Sequence, residues 1–411
     1  MSDHKKIRKD ELFKALEKVK EFNENGKVTV AIYSDVYFPR VDGVLKVVDN
    51  VAERLSKRCN VVVFAPSPID YKVEKNYLFV RVKSLYMKGL NYDLSLPSFD
   101  KNLKKIVKNL RIDIIHSHTP FMLGKKAIKA SKKKRVPLVF TFHSQFKKDI
   151  YKATKSNLLT KIGMSYIMSS FAAADEVWTM HEMSAKTLRE YGYKGEIYFM
   201  PNATDFSYPK TAKREVAEIK SKLNIEDEIV FLFVGRLVVQ KNILFIAEVL
   251  GVLKKRGLKF KMIFVGDGPD RKELEKTIAR ENVEDECAFL GKVSDYRLIE
   301  DYYLTADLVL FPSKYDVSSI IQLEAAAMKT PCAFVLGSVT SCTVTHEKNG
   351  YILPDDPALF ADEVYKIASD KEALKKMGEN AYRDLYVTWD EVVDKTYERY
   401  EQLIKENENK N

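Results

Sequence analysis

The chain has 411 residues, 45% of them hydrophobic, which is too long for one comfortable core and suits two domains of about 200 residues each. Its four cysteines are far apart and form no C-x-x-C pair, which argues against a disulfide framework or a zinc site. The charged N-terminus lacks the apolar core of a signal peptide, and no apolar run approaches the roughly 18 residues that span a bilayer. We therefore expect a cytoplasmic protein that does not span a membrane.

The net charge of +10 is unevenly distributed along the chain. Residues 1–200 hold 38 Lys and Arg against 21 Asp and Glu, whereas residues 201–411 hold 30 against 37. Much of the excess lies in three lysine-rich segments: Lys101–Arg111, Lys125–Arg135 and Lys147–Met168. Each alone could be a solvated helix face, but three together favour an anionic partner surface, with acidic lipid ahead of nucleic acid.

Short β-rich runs alternate with longer helical stretches along the whole chain, which predicts parallel sheets flanked by helices. The strands predicted in the first half are Val28–Ser34, Asn60–Ala65, Leu78–Val82, Ile112–His116, Leu138–Phe142, Glu176–Thr179 and Glu196–Met200. Those predicted in the second half are Ile229–Val234, Phe260–Val265, Cys287–Leu290, Leu308–Phe311, Pro331–Val335 and Gly350–Leu353. We expect two doubly wound domains, at 1–206 with an extra helix at 10–24 and at 207–384, then a final amphipathic helix and tail at 385–411.

Two loops of the first half carry candidate binding residues. The loop after the first strand, SDVYFPRVDGV, places Gly43 at the N-terminus of the following helix. Because glycine has no side chain, backbone N–H groups there can approach a phosphate or a sugar closely. The segment IIHSHTPFMLG ends a strand with His116 and His118 two residues apart, so both side chains can point to the same side. No carboxylate or third imidazole lies at ligand spacing, which argues against a metal site.

The second half contains a candidate phosphate clamp in the run FVGRLVVQKN. Gly235 ends a strand, Arg236 follows in the turn, and Lys241 lies near the start of the next helix. Arginine offers a fork to phosphate oxygens and lysine a point charge. The alternative is an arginine at a strand end that pairs with a carboxylate. No Asp-x-Asp triplet, the turn that holds a metal beside a diphosphate in some enzymes, occurs in the sequence.

Two further turns of the second half follow predicted strands. In FVGDGPDRKELE, Gly266 and the residues after it end a strand and open a charged helix. In FPSKYDVSSIIQLEAAAMKTP, Asp316 precedes Glu324 by eight positions across a serine-rich turn. A strand, a turn and a helix start near Ser318 would place two carboxylates and free amide N–H groups beside one pocket.

These motifs together resemble the retaining glycosyltransferases of family 4, from Val28 to about Ile404. The resemblance rests on the acidic pair, FVGRLVVQKN, the His-x-His-x-Pro element and the loop with Gly43. It implies an α/β GT-B fold, in which two Rossmann-like domains face each other across a cleft and a C-terminal crossover helix packs on the first. The chain has Asp316 where the family has Glu, Ser318-Ser319 where it has Phe-Gly, and no Glu in register after Leu336.

The resemblance also implies roles for individual residues. His118 would contact the donor sugar near the reacting carbon, Arg236 and Lys241 would hold the diphosphate, and Asp316 would face the sugar. His143, in the Thr-x-His element TFHSQF, would line the acceptor side. The donor-binding positions implied are Gly43, Gly266, Val293, Ser319, Ile320 and Glu324.

We therefore expect a retaining hexosyltransferase that moves a hexose, with glucose favoured, from a UDP-sugar to a membrane lipid such as diacylglycerol. The resemblance implies no cofactor and no required metal. The expected location is peripheral, on the inner face of the cell membrane, without nucleic acid as a partner, and assembly into a homo- or hetero-oligomer is left open. Alternatives are a soluble transferase for a polysaccharide or teichoic acid, a degenerate donor-binding protein without turnover and, third, a nucleic-acid-binding module.

Overall fold

The computed structural model describes residues 2–39, 43–87, 92–314 and 320–410. The chain divides into two compact units, of which unit 1 comprises Met1–Asn202 with Trp389–Asn411 and unit 2 comprises Ala203–Thr388. The domain limits at residues 206 and 384 remain a prediction from the sequence.

Unit 1 is built around a parallel sheet. Its strands are β1 (Thr29–Tyr33), β2 (Asn60–Pro66), β3 (Leu78–Val82), β4 (Ser84–Met87), β5 (Tyr92–Ser95), β6 (Ile114–Ser117), β7 (Leu138–Thr141), β8 (Glu176–Thr179) and β9 (Ile197–Phe199). The parallel sheet has the order β3-β2-β1-β6-β7-β8-β9, and β4 and β5 form a separate antiparallel pair. Every residue of β1 and β2 is buried, as expected for parallel strands covered on both faces.

Helices flank this sheet. They are α1 (Ser2–Glu24), α2 (Gly43–Leu55), α3 (Lys101–Asn109), α4 (Met122–Lys134), α5 (Phe146–Thr154), α6 (Asn157–Phe171) and α7 (Glu182–Glu190), with a 3-10 turn at Pro97–Phe99. The apolar residues Leu103, Ile106 and Val107 of α3 recur at helical spacing and are buried, while its lysines occupy the other positions. The sheet and the inner helix faces thus form one hydrophobic core.

Unit 2 repeats this architecture with a smaller parallel sheet. Its strands are β10 (Ile229–Val234), β11 (Phe260–Val265), β12 (Cys287–Phe289), β13 (Leu308–Leu310), β14 (Cys332–Val335) and β15 (Tyr351–Leu353), in the order β12-β11-β10-β13-β14-β15. Its helices are α8 (Ala212–Lys222), α9 (Ile243–Lys255), α10 (Arg271–Arg280), α11 (Tyr296–Thr305), α12 (Ile320–Ala327), α13 (Pro357–Ala368) and α14 (Lys371–Leu385). Two 3-10 turns lie at Val239–Lys241 and Val339–Thr343.

The last helix, α15 (Trp389–Lys410), belongs to unit 1 and packs against α2. Tyr400 is fully buried there, and its ring stacks on Trp178 of β8 with 5.4 Å between centroids. Arg399 donates to the buried Glu176 carboxylate, with Nη2 at 2.5 Å from Oε2. The final helix therefore completes the core of unit 1.

Each predicted strand is present, and no strand end differs from its predicted position by more than two residues. The antiparallel pair β4–β5 was not predicted, because Leu85, Tyr86 and Met87 are exposed and give no core-facing pattern. The leading helix was predicted to begin at Asp10 but begins at Ser2, where apolar residues are too sparse to reveal it. It is fixed to unit 1 by polar contacts, among them Arg8 with Asp100 at 2.6 Å.

Candidate active site

Both parallel sheets change winding direction beside their first strand. In unit 1, β1 lies between β2 and β6, and in unit 2, β10 lies between β11 and β13. Ligands of open α/β sheets bind outside the carboxyl ends of the strands at such a point. The candidate residues lie in or next to these loops.

In unit 2 the ends of β10 and β11 meet backbone to backbone. Gly235 and Gly266 have φ values of +148° and +138°, in the region that favours glycine. A Cβ built on Gly266 would lie only 1.9 Å from the Gly235 carbonyl oxygen. The Gly235 amide donates to Val265 at 2.9 Å, and the Gly266 amide donates to Gly291 at 2.8 Å. Gly266 therefore shapes the loop by allowing this close approach.

The two predicted cations lie at the carboxyl ends of β10 and β13. Arg236 is exposed and has no salt-bridge partner among the described residues. Lys241 is half-buried, and its Nζ lies 5.1 Å from the centroid of the Phe311 ring that follows β13. The neighbouring Asn242 donates from Nδ2 to the Pro312 carbonyl at 3.4 Å. The turn thus presents positive charge at the winding change of the sheet.

Glu324 of α12 is buried, with 8% of its surface exposed, and its Oε2 accepts a hydrogen bond from the Tyr303 hydroxyl at 3.0 Å. Burial and the neighbouring Glu324 carboxyl raise the pKa of Tyr303 well above its ordinary value, so Tyr303 remains a hydrogen-bond donor. Ile320 begins α12, and Val293 is half-buried against the unit 2 core. Asp316 and Ser319 lie outside the described residues.

In unit 1 the structure brings His118 and His143 together. His118 Nδ1 and His143 Nε2 are 3.0 Å apart, and the two rings are stacked with 5.3 Å between centroids. His118 is 2% exposed, and its Nε2 has no hydrogen-bond partner within the described parts of the chain. Both rings line a small cavity with room for about one water molecule. Gly43 is exposed at the first residue of α2, where a Cβ would meet open space.

The three histidines of this region are neutral at physiological pH. Burial lowers the pKa of His116 to about 3 and that of His143 to about 4. Burial and the proximity of the other two rings hold the pKa of His118 well below its ordinary value. His116 bonds to the Tyr400 hydroxyl at 2.5 Å and to the Thr141 hydroxyl at 2.7 Å, which makes it a structural residue.

The sequence reasoning missed Asp35, which directly follows β1 in the loop that was singled out for Gly43. Asp35 is buried, its carboxylate accepts from the Thr119 hydroxyl at 2.8 Å, and it accepts from the Leu123 amide at 3.2 Å at the start of α4. Burial raises the pKa of Asp35 to about 6. The signal available in the sequence was an aspartate that follows directly after an apolar run predicted to be a strand. The carboxylate fixes the loop that follows His118.

Among the residues that the structure describes, no group of three or more His, Cys, Asp or Glu side chains is placed to hold a metal ion. In the part of the chain that the structure describes, no helix is both long enough and apolar enough to cross a bilayer.

Comparison with known proteins identifies two glycosyltransferase domains. Residues 41–208 match the model of glycosyltransferase family 4, and residues 215–384 match that of glycosyl transferases group 1. The chain is 27% identical over 372 residues to the alpha-monoglucosyldiacylglycerol synthase of Acholeplasma laidlawii, covering 86% of this chain and 91% of the relative. The synthase of the same name from Streptococcus pneumoniae is 26% identical, covering 74% of this chain and 70% of the relative.

Solved structures agree on the fold. Sucrose-phosphate synthase from Thermosynechococcus elongatus superposes with a TM-score of 0.72 at 20% identity, covering 92% of this chain and 100% of that one. The Anabaena protein HepE, solved in complex with UDP, superposes with a TM-score of 0.72 at 16% identity. This match covers 91% of this chain and 100% of HepE. The predicted GT-B class, with two Rossmann-like domains, is confirmed. The chain therefore belongs to the glycosyltransferases that combine a family 4 domain with a group 1 domain.

Proposed function

We propose that this protein is a retaining glycosyltransferase that moves glucose from a UDP-sugar to the hydroxyl of a membrane lipid such as diacylglycerol. The observation that carries the proposal is the exposed Arg236 beside Lys241 at the winding change of the unit 2 sheet. The names of the two diacylglycerol glucosyltransferase relatives support the sugar and the acceptor class.

On the donor side, the reaction needs positive charge at the leaving group. As the glycosidic bond breaks, negative charge grows on the UDP diphosphate, and preorganised cations stabilise it most. Arg236 would donate in a fork to the phosphate oxygens, and Lys241 would add a point charge. These two side chains would perform the role that a metal ion has in other transferases. Glu324, with Tyr303 fixing one of its oxygens, would accept from the ribose hydroxyls.

Retention of configuration would follow from attack on the same face that the diphosphate leaves. The acceptor hydroxyl would lose its proton to a leaving phosphate oxygen while the sugar carries positive charge at its anomeric carbon. We assign the shared hydrogen to His118 Nδ1, which donates to His143 Nε2. This tautomer leaves the Nε2 lone pair of the neutral His118 available to stabilise that positive charge. Asp316 would bind sugar hydroxyls.

On the acceptor side, unit 1 carries a dense cluster of lysines. The pKa of Lys126 in α4 is lowered by partial burial and by the neighbouring charges of Lys104, Lys129 and Lys133. Such mutual repulsion is relieved when an anionic surface approaches. We propose that this surface is an acidic lipid leaflet on the cytoplasmic side of the membrane, where the protein would be peripheral.

The deciding experiment is a UDP-release assay across several UDP-sugars, with and without anionic vesicles that contain diacylglycerol. We expect UDP-glucose to be used only when the lipid acceptor is present, and turnover to persist in a metal chelator. UDP binding without transfer would instead indicate a degenerate donor-binding protein. Transfer to a soluble glycan in the absence of vesicles would favour the polysaccharide or teichoic-acid alternative.

Vesicle sedimentation tests the charge contribution separately. Lys125 donates to the Tyr166 carbonyl and the Ser169 hydroxyl, and Lys134 donates to the Leu110 carbonyl, so both stabilise the fold and should be left intact. Charge reversal is therefore best made at the remaining α4 lysines: Lys126, Lys129, Lys132 and Lys133. We expect binding of the wild-type protein to weaken with salt and the reversed variant to bind poorly at any salt concentration. If the wild-type protein ignores anionic vesicles at low salt, the lipid proposal is wrong.

A further inference from the structure

The outer face of the α5–α6 pair is unusually apolar for an exposed surface. Leu158, Ile162 and Tyr166 of α6 follow one another at four-residue spacing and are 68%, 58% and 42% exposed. Four-residue spacing places them in one row along the helix. Leu159 of α6 and Tyr151 of α5 are also exposed, at 50% and 47%. A contiguous apolar patch of this kind marks an interaction surface.

The pair is held to unit 1 by its inner face, and Tyr166 of the exposed row also contacts α4, with the Lys125 Nζ 4.5 Å from the centroid of its ring. Phe146 at the start of α5 packs against Phe142 and Phe171, with ring centroids 5.7 and 6.1 Å apart. Gly163 lies against Ile150, where a Cβ would come within 3.0 Å of that side chain. The exposed row is therefore not required to close the core.

Five exposed lysines lie in the same segment of the chain as the exposed row. The segment 147–166 contains Lys147, Lys148, Lys152, Lys155 and Lys161. Asp149 is the one acidic residue in the same segment of the sequence. None of the five lysines forms a salt bridge with any described residue. We call Tyr151, Leu158, Leu159, Ile162 and Tyr166 with these lysines the lysine-rimmed stripe.

We propose that the lysine-rimmed stripe inserts its apolar side chains into the interfacial layer of an anionic lipid leaflet while its lysines contact the headgroups. The combination of apolar side chains with a basic border is complementary to such a leaflet. This inference rests on the proposed function and deepens it, because it adds an inserted contact to the attraction by the α4 lysines.

The geometry sets the depth and the consequence of this contact. α6 has 15 residues, too few to span a bilayer, so it lies along the interface. Tyr166 also approaches α4, where its hydroxyl lies 3.7 Å from Met122 Sδ, and Met122 is 40% exposed. α5 begins at Phe146, three residues after His143 in the chain. Insertion would therefore place the loop with His143 next to the lipid that carries the acceptor hydroxyl.

Insertion can be observed directly by fluorescence. Leu158→Trp introduces an indole on the stripe, whereas the native Trp178 and Trp389 are 2% and 4% exposed and should not respond. With vesicles of phosphatidylglycerol and diacylglycerol, we expect a blue shift of the introduced indole and quenching by brominated acyl chains. Leu359→Trp on α13, at a leucine that is 54% exposed in unit 2, is the matched control and should show neither effect. Absence of quenching for bound Leu158→Trp protein would overturn the proposal.

A second variant separates insertion from catalysis. Leu158→Asn with Ile162→Asn should weaken vesicle binding about a hundredfold, at roughly tenfold for each buried side chain lost. Leu359→Asn should leave binding unchanged. Transfer to a short-chain diacylglycerol dispersed below its critical micelle concentration should be retained by the double variant. Failure of the wild type in that assay would refute the proposed function and not the insertion.

Two alternative partners of the stripe, a second copy of the chain and a nucleic acid, can be distinguished from a lipid leaflet. If the apolar row joins two copies of the chain, sedimentation velocity will show a dimer that Leu158→Asn with Ile162→Asn dissociates while vesicle binding stays unchanged, and the proposal fails. If the lysines bind nucleic acid, fluorescence anisotropy with a labelled oligonucleotide will respond to charge but not to the two Asn substitutions. Only loss of vesicle binding with an unchanged mass supports insertion.

Discussion

Mild acid should unfold unit 1 selectively, because it contains three buried neutral histidines. His116, His118 and His143 all have folded pKa values below the ordinary value of 6.5, owing mainly to burial. Below pH 6.5 the unfolded chain binds protons that the folded chain does not, so the free energy of unfolding falls as the pH falls. The decline should continue until the pH reaches the folded pKa values.

The magnitude follows from the pKa differences. At 1.36 kcal/mol per pH unit, His116 and His143 each lower the free energy of unfolding by about 2 kcal/mol between pH 7 and pH 5. Asp35 acts in the opposite direction, because its folded pKa of about 6 lies above its unfolded value and the folded chain takes up this proton first. It restores about 1 kcal/mol over the same range. The effect of the histidines is larger, so the free energy of unfolding falls by about 3 kcal/mol between pH 7 and pH 5 before His118 is counted.

Tryptophan fluorescence during urea denaturation measures this loss in unit 1 alone, because the sequence has two tryptophans and both lie in that unit. Trp178 is also close to His116, with 4.9 Å between ring centroids. We expect the free energy of unfolding at pH 5 to be lower than at pH 7 by at least about 3 kcal/mol, since His118 adds to the net loss from the other groups. Hydrogen exchange of β10 and β11 in unit 2 provides the internal control. A fall of less than about 1 kcal/mol would refute the reasoning, and His143→Gln should reduce the fall by about 2 kcal/mol.

Three substitutions test other parts of the molecule. Arg236→Gln should lower kcat/KM for transfer about a hundredfold, since it removes a charge that stabilises the leaving diphosphate, as measured by UDP release. Gly266→Ala should destabilise unit 2 by more than about 2 kcal/mol, because the new Cβ would overlap the Gly235 carbonyl, as measured by thermal denaturation. Arg399→Met should cost about 3–5 kcal/mol by leaving the buried Glu176 carboxylate without its cation, whereas adding Glu176→Gln should restore most of the stability lost in urea denaturation.

Each substitution has a control within the chain. Lys259→Gln removes an exposed charge before β11, at the amino end of the sheet, and should leave transfer unchanged. Gly257→Ala also introduces a side chain at positive φ, but into open space, so it measures the backbone contribution alone. Equal losses for Gly257→Ala and Gly266→Ala would contradict the close-approach argument. A double variant at Arg399 and Glu176 as unstable as Arg399→Met would contradict the buried-charge argument.

Much of the fold could be predicted because parallel strands buried on both faces appear as continuous apolar runs, as in Ile229–Val234. Segments whose stability comes from contacts distant in sequence could not. The β4–β5 pair exposes its apolar residues, and the early part of α1 is fixed by polar contacts such as Arg8 with Asp100. Neither arrangement leaves a periodic apolar pattern for sequence reasoning to detect.

In the candidate site, too, local motifs could be predicted from the sequence, whereas contacts between distant positions could not. Loops at strand ends are local features, so Arg236, Lys241 and Gly266 could be identified from short motifs. The contact between His116 and Tyr400 joins positions 284 apart in the sequence, and no local pattern predicts it. The lysine segments were recognised, but the sequence could not show that Lys134 is committed to the carbonyls at the end of α3. Such commitments depend on tertiary geometry.

The placement of α15 in unit 1 has a consequence for biosynthesis. Unit 2 is one uninterrupted stretch, Ala203–Thr388, whereas unit 1 draws on both ends of the chain. During translation, unit 1 therefore cannot complete its core until Arg399 and Tyr400 leave the ribosome. Until then, Trp178 and Glu176 remain without these contacts. Unit 2 can complete its fold before unit 1 does, which reverses the usual order in which the N-terminal domain folds first. A nascent chain stalled before residue 389 would expose this surface to chaperones.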